Sequence, residues 1–263
     1  MPEVCALYRY PVKGFAPESC DRLAVLAEGR IAGDRVLAFR FANAAVADDA
    51  WSTKHEMVAL VNTPALTRLD LRLDHQVLRV RLQCHGTEVI EAALDEAGRR
   101  RIAAAVAEHV LRLEENPLSG HPERLPLRLV GDGRTPRYQD NAAGQITLHG
   151  RSSVQAVARV VNDPALSEVR FRSNIAVEGL EAWEEQRWIG RRIRIGAVEL
   201  QVVMPKTRCL ATHANPLTGE RDIAMMPALL QCYAQDRPTF AVAMIPTRGG
   251  GEIRVGDSVE VLA

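Results

Sequence analysis

The 263-residue chain is long enough for one large domain or two modest ones, each able to bury most of its apolar surface. Its 33 basic and 33 acidic side chains cancel, so no global field draws it to nucleic acid or an anionic membrane, and anion binding must rest on local patches. The N-terminus lacks a cationic start followed by an apolar core, and no run approaches the roughly 18 apolar residues of a membrane span, so a soluble cytoplasmic protein is expected.

The chain begins with short strands separated by turns. Val4–Tyr10 is rich in strand formers and stops at Pro11, Leu23–Ala27 runs into a Glu28-Gly29 turn, and Arg35–Phe41 is a further strand. Between them lie Pro11-Val12-Lys13-Gly14 and Gly33-Asp34-Arg35, which put Lys13 and Arg35 at strand ends. Each is either an exposed loop cation or one that a turn brings towards a ligand. After a polar, alanine-rich loop from Asn43 to Ala50, Trp51-Ser52-Thr53-Lys54-His55 sets two hydroxyls beside a cation. That arrangement suits a phosphate contact or an ordinary solvated turn.

Leu69–Leu73, Val77–Leu82 and Thr87–Ile90 alternate apolar and polar residues around turns at Asp74-His75 and His85-Gly86, so an antiparallel meander with one buried face is expected. Asp95 opens a helix in which Ile102, Val106, Val110 and Leu113 share a face. The polar stretch Glu114–Arg124, with two prolines and a glycine, is the best interdomain boundary, giving units 1–120 and 121–263.

In the second half, Leu125–Val130 and Ile146–Leu148 are strands, and Gly150-Arg151-Ser152-Ser153 leads into an apolar-periodic helix. Ser152 and Ser153 stand where a helix start wants an N-cap and where orphan N–H groups favour a phosphate. Phe171–Val177 predicts a strand whose period of two aims Arg172 and Asn174 to one face. Ile193–Ile195 and Val198–Met204 form a hairpin through Gly196-Ala197. Thr239–Ile245 and Ser258–Leu262 are further strands, and Arg248–Glu252 is a glycine-rich hairpin tip without the helix that follows a P-loop. The fold class is mainly β with some α, in two sheet-based or β-barrel-like units.

The five cysteines lack the short paired spacings of a zinc site or an iron–sulfur cluster. Cys209 is set apart by its surroundings. The run Val198–Met204 breaks at Pro205 and delivers the thiol just after Lys206 and Arg208. Neighbouring positive charge favours the thiolate, which binds soft metals or attacks electrophiles. His213 could act as base for a thiol nucleophile, and an inert thiol is the bland alternative. Lys13, Arg35, Lys54 and Arg172, with Asn174, Ser152 and Ser153, could complement a phosphate if the fold brings them together.

Several motifs occur in one order along the chain: Tyr10-Pro11-Val12-Lys13, Gly33-Asp34-Arg35, Trp51-Ser52-Thr53-Lys54, Pro64-Ala65-Leu66, Phe171-Arg172-Ser173-Asn174-Ile175, Arg208-Cys209, Asn215-Pro216-Leu217-Thr218-Gly219 and Ile253-Arg254-Val255-Gly256-Asp257. From about residue 4 to residue 262 the chain thereby resembles the MOSC proteins with an N-terminal MOSC β-barrel domain, the subgroup of the mitochondrial amidoxime-reducing component and its bacterial relatives. The resemblance implies an N-terminal β-barrel-like domain and a C-terminal MOSC β-barrel domain with a molybdenum cofactor between them. It also implies that Cys209 is the catalytic residue and the thiolate on molybdenum. Lys13, Arg35, Arg172 and Asn174 match the cofactor-phosphate contacts, Ser152 and Ser153 match a hydroxyl-bearing helix start, and Thr207 and Arg208 flank the ligand. Thr53 and Lys54 join the cofactor-binding set through their own motif.

The implied activity is reduction of N-hydroxylated or N-oxygenated small molecules. No iron–sulfur cluster is expected in this chain, and electrons come from a separate ferredoxin- or cytochrome-type protein with its reductase. The alternative is a carrier of the molybdenum cofactor, or of persulfide sulfur on Cys209, without turnover of its own. Three positions depart from the family pattern. Gly14 replaces a frequent serine, Lys206 a frequent second cysteine, and Thr212-His213-Ala214-Asn215 a common Thr-Val-Asp run, so that His213 is expected to alter the substrate mouth.

Overall fold

The computed structural model describes residues 1–233 and 235–262, which form fifteen strands and three α-helices. In chain order they are β1 (Glu3–Arg9), β2 (Glu18–Cys20), β3 (Arg22–Val25), β4 (Ala38–Arg40), β5 (Leu69–Asp74), β6 (Arg79–Cys84), β7 (Thr87–Ala93) and α1 (Glu96–Leu111). There follow β8 (Arg128–Val130), β9 (Ile146–Gly150), α2 (Arg151–Val160), β10 (Ile175–Glu178), β11 (Arg192–Ile195), β12 (Val198–Thr207), α3 (Met225–Cys232), β13 (Thr239–Pro246), β14 (Gly251–Arg254) and β15 (Val259–Val261).

An eight-stranded sheet in the order β15-β11-β12-β13-β9-β10-β1-β2 dominates the molecule. Its central strands β9 and β13 are buried along most of their length, as strands covered on both faces must be. The ladder is not a closed barrel. The bridge of Glu3 with Ser258, and backbone bonds from Val4 N–H to Asp257 O, Gly256 N–H to Val4 O and Val259 N–H to Pro2 O, tie the β15 end back to β1, the strand next to the other end. The meander β5-β6-β7 forms as its alternation predicts, with Leu69, Leu71 and Leu73 inward and paired across to Cys84, Leu82 and Val80. Helix α1 starts where the Asp95 carboxylate accepts the Gly98 N–H at 2.7 Å, and it lays Ile102, Val106 and Val110 into the core beside β7 and β8.

The cores exchange segments of chain. Strand β1 pairs with β10 and β3 pairs with β14, so Val4, Leu7, Leu23, Val25 and Ile31 belong to the core of the large sheet. Strand β8 pairs instead with β4, and Leu127 and Leu129 join the core built around α1 and the meander. Segments from each side of residue 120 therefore pack into the core built mainly by the other side.

Three local expectations are corrected, and one helix was not expected. The strand before Cys209 does not break at Pro205 but runs to Thr207, with register shifts against β13 at Val202/Met204 and Pro205/Thr207. Such bulges accommodate a residue that cannot donate to the ladder. Phe171 closes a short 3₁₀ turn, Glu168–Phe171, and Arg172 is left-handed, so the strand begins only at Ile175. The glycine-rich tip enters β14, where Gly251 pairs with Val25. Helix α3, absent from the sequence reading, forms despite Pro227 because proline is tolerated in a first helical turn.

Candidate functional site

One cleft gathers residues from both halves of the chain. Lys13, Arg35 and Lys54 line it from the first half, and Arg172, Asn174 and the Lys206–Cys209 segment line it from the second. The thiol reaches the cleft because β12 ends at Thr207 and a 3₁₀ turn, Leu210–His213, begins. The Thr212 N–H and hydroxyl both donate to the Cys209 carbonyl, at 3.0 and 2.9 Å, fixing the corner that carries the half-buried side chain.

Arg208 is held by backbone oxygens alone. Its Nε donates to the Phe240 carbonyl at 2.8 Å, a terminal nitrogen donates to the same oxygen, and the other donates to Phe171 O at 2.9 Å. The Phe171 and Phe240 rings stack with centroids 3.7 Å apart, which ties both acceptors together. Burial lowers the Arg208 pKa to about 10.

Arg35 and Arg172 both adopt left-handed backbone, with φ 52° each, and their guanidinium carbons lie 4.8 and 4.3 Å from the buried Tyr10 ring centroid. Positive φ at two non-glycine residues that line one cleft is strain of the kind that gathers at binding sites. Asp34 pairs with Arg35, and Arg172 donates to Phe15 O at 2.8 Å. Burial lowers the Arg172 pKa to about 10 and raises that of Tyr10 to about 12. Lys13 is 5% exposed and donates to Tyr138 O at 2.9 Å and to Asp140 Oδ1 at 2.7 Å. Burial pulls its pKa below the ordinary lysine value despite that carboxylate.

Asn174 lines the cleft, yet its amide is fully engaged. The side-chain oxygen accepts from the Thr147 N–H and hydroxyl, and its nitrogen donates to Tyr8 O at 3.2 Å and to Asp34 Oδ1 at 3.4 Å. Its place is that of a strut joining β1, β9 and the Asp34–Arg35 corner. Thr207 lies exposed at the strand end, on the cleft wall.

Three expected residues lie elsewhere. Ser152 donates to Leu180 O at 2.5 Å, and Ser153 donates to Glu185 Oε2 at 2.9 Å, so both hydroxyls face away from the cleft. Gly150 occupies the N-cap of α2, and no side chain caps it. Thr53 is exposed ahead of a short 3₁₀ turn and does not line the cleft, although its neighbour Lys54 does. His213 is also turned away. Its Nε2 accepts the Met226 N–H at 3.3 Å, satisfying an orphan donor of the first turn of α3. That contact makes Nδ1 the protonated nitrogen of the neutral ring.

Other residues of the site were not legible. Arg170, 4% exposed, reaches the cleft while both Asp222 oxygens accept from it at 2.8 Å and His213 O accepts at 3.1 Å. That fork ties the turn carrying Arg172 to the loop after Cys209. Glu168 anchors the same turn by accepting from the Tyr8 hydroxyl at 2.7 Å and from Arg151 Nε at 3.0 Å. The adjacency of Asp34 and Arg35 was a sequence signal for their pairing; the Lys13–Asp140 and Arg170–Asp222 pairs left none. Among the described residues, no group of three or more His, Cys, Asp or Glu could hold a metal ion, and no helix is long and apolar enough to cross a membrane.

A MOSC domain model matches residues 135–260, and a MOSC N-terminal beta barrel domain model matches residues 1–115. The chain belongs to the MOSC family. This MOSC protein is 32% identical over 130 residues to the molybdenum cofactor sulfurase of Caenorhabditis briggsae, covering 49% of the chain and 17% of that protein. It is 36% identical over 101 residues to mitochondrial amidoxime-reducing component 1 of Mus musculus, covering 35% of the chain and 29% of the relative. The match thus spans less than a third of either relative. Among solved structures it is similar to the YUAD protein from Bacillus subtilis, across 99% of this chain and 96% of that one, at 13% identity and a TM-score of 0.45.

Proposed function

We propose that this MOSC protein is a molybdenum-cofactor-dependent oxidoreductase that reduces N-hydroxylated or related N-oxygenated small molecules. Its electrons come from a separate ferredoxin- or cytochrome-type donor with its reductase. The observation that carries the reading is the meeting, in one cleft, of the Cys209 thiol with Lys13, Arg35 and Arg172 from distant parts of the chain. A phosphate-bearing pterin with thiolate-ligated molybdenum needs a soft donor at one end and charge-assisted donors at the other, so the residues present fit it.

When bound, the cofactor supplies the two-electron chemistry that removes oxygen from the substrate nitrogen. Cys209 offers its sulfur to the metal from the corner that Thr212 fixes. Arg208, clamped to the Phe171 and Phe240 carbonyls, keeps that corner in register with the turn bearing Arg172. Lys13, Arg35 and Arg172 hold the phosphate, and Tyr10, Asp34 and Asn174 orient the two arginines.

A second reading, a carrier of the cofactor or of sulfur on Cys209, is favoured by the relatives named molybdenum cofactor sulfurase, whose match covers more of the chain. Purification from a cofactor-producing host, metal and pterin analysis, and an amidoxime-reduction assay with an artificial donor separate the two. Stoichiometric molybdenum with turnover, both lost in Cys209→Ala, is expected. Bound metal without turnover supports the carrier, and protein without metal overturns the reductase.

A further inference from the structure

The cleft is more positive than a phosphate requires. Of the cations lining it, Lys13, Arg35 and Arg170 have carboxylate partners in Asp140, Asp34 and Asp222. Lys54, Arg172, Lys206 and Arg208 have none within 4 Å among the described residues. A phosphate monoester carries about −1.5 to −2 near neutral pH and a Cys209 thiolate about −1, so together they offset no more than about three of these four charges.

Two members of that set, Lys54 and Lys206, have no anchor on a backbone carbonyl among the described residues, and Lys206 is the one on the strand that delivers Cys209. Arg172 and Arg208 are anchored on backbone carbonyls at 2.8–2.9 Å, whereas the recorded contact of Lys206 Nζ is the neutral Gln145 Oε1 at 3.4 Å. The side chain is half-buried, on the strand that delivers Cys209 and three residues before it, in the cleft wall shared with Asp140 and Gln145. Leaving an ammonium desolvated without an anion costs several kcal/mol in general, and a ligand anion at this place removes that cost. Burial and the nearby Arg208 lower its pKa to about 8, outweighing the opposing charge of Asp140.

We propose that Lys206, with Gln145 beside it, forms a subsite for an anionic group, a carboxylate or a phosphate, carried by the substrate at a distance from its reducible nitrogen. The proposal rests on the reductase reading of the cleft. A lysine ammonium suits the role as a compact point charge that pairs with either group. A neutral substrate would leave Lys206 as it now stands, so the cleft selects acidic N-hydroxylated compounds over their neutral counterparts.

The test is calorimetric titration of the oxidised, cofactor-loaded protein, without electron donor, with benzamidoxime and its 4-carboxy and 4-phosphono derivatives. The wild type is expected to bind at least one acidic derivative tenfold or more tighter than the neutral compound, and the better of the two identifies the anion. Lys206→Gln should abolish that preference while keeping wild-type molybdenum content and neutral-ligand affinity; Lys206→Arg should retain most of the preference. Equal binding of all three ligands by the wild type, a preference that survives in Lys206→Gln, or a loss of molybdenum in Lys206→Gln overturns the subsite. Because binding is read without turnover, failure of the subsite and failure of the reductase reading are separate results: a protein that reduces benzamidoxime but shows no acidic preference loses only the subsite, and one that shows the preference without reducing anything loses only the reductase.

Discussion

Lys13 Nζ lies 2.7 Å from Asp140 Oδ1, in an ion pair whose lysine side chain is 6% exposed and whose carboxylate, 60% exposed, stands at the rim of the cleft. Although partial desolvation opposes it, Lys13, Arg35 and Lys54 hold the Asp140 carboxyl well below the usual carboxylate range. The pair and the Tyr138 carbonyl fix the lysine nitrogen at the cleft before any ligand arrives.

Lys13→Met is expected to lower molybdenum per purified chain by roughly tenfold or more, since a hydrogen bond to a charged group contributes about 1.5–3 kcal/mol. Asp140→Asn should retain most of the metal, because the Tyr138 carbonyl still holds the ammonium. Equal loss in both variants, by elemental analysis of folded protein, would contradict a phosphate role for Lys13.

Breaking the Arg170–Asp222 fork should destabilise the fold as well as the cleft. Arg170 has 2% side-chain exposure and Asp222 33%, so Asp222→Asn leaves a buried guanidinium short of its counter-charge. Urea unfolding should show a loss of roughly 2–4 kcal/mol, reduced from the fully buried case by the exposure of the carboxylate. A change within experimental error would remove the fork from the elements that hold the loop after Cys209.

Glu185 gives the protein a pH dependence away from the cleft. Burial raises its pKa to about 7, Oε2 accepts from Ser153, and Oε1 has no hydrogen-bond partner among the described residues. The folded state therefore holds a proton that the unfolded state releases near pH 4.5, so stability falls as pH rises from there through about 7. Glu185→Gln removes the cost of ionisation. Its advantage over wild type in chemical denaturation should grow from pH 5 to pH 8, to an order of roughly 3 kcal/mol. A constant difference across that range would sink the assignment.

Gly14 cannot be exchanged for serine without strain. Its φ is +88°, and a Cβ there would lie 3.1 Å from Leu66 Cδ1 and 3.2 Å from Ala59 Cα. Gly14→Ser should lower stability by about 1–3 kcal/mol, the usual cost of a side chain in a sparsely populated backbone region, measured by thermal and urea unfolding. An unchanged or raised midpoint would show that the backbone relaxes.

The sequence by itself determined the features that are local. The meander came from alternation at Leu69, Leu71 and Leu73, and α1 came from Asp95 and the spacing of Ile102, Val106 and Val110. The family followed from short motifs in a fixed order, which also marked Cys209, Lys13, Arg35 and Arg172. Local patterning failed where neighbours in space override it: β12 passes through Pro205 because β13 supplies the ladder on its other side. Ser152 and Ser153 looked like phosphate ligands because helix starts favour anions, but the Leu180 carbonyl and the Glu185 carboxylate claim their hydroxyls. Only the tertiary structure decided which cations are neutralised, because Asp140 and Asp222 are far in sequence from Lys13 and Arg170. It also decided that Lys206 has no carboxylate within 4 Å among the described residues, since charge balance in a cleft is summed over elements that no sequence period connects.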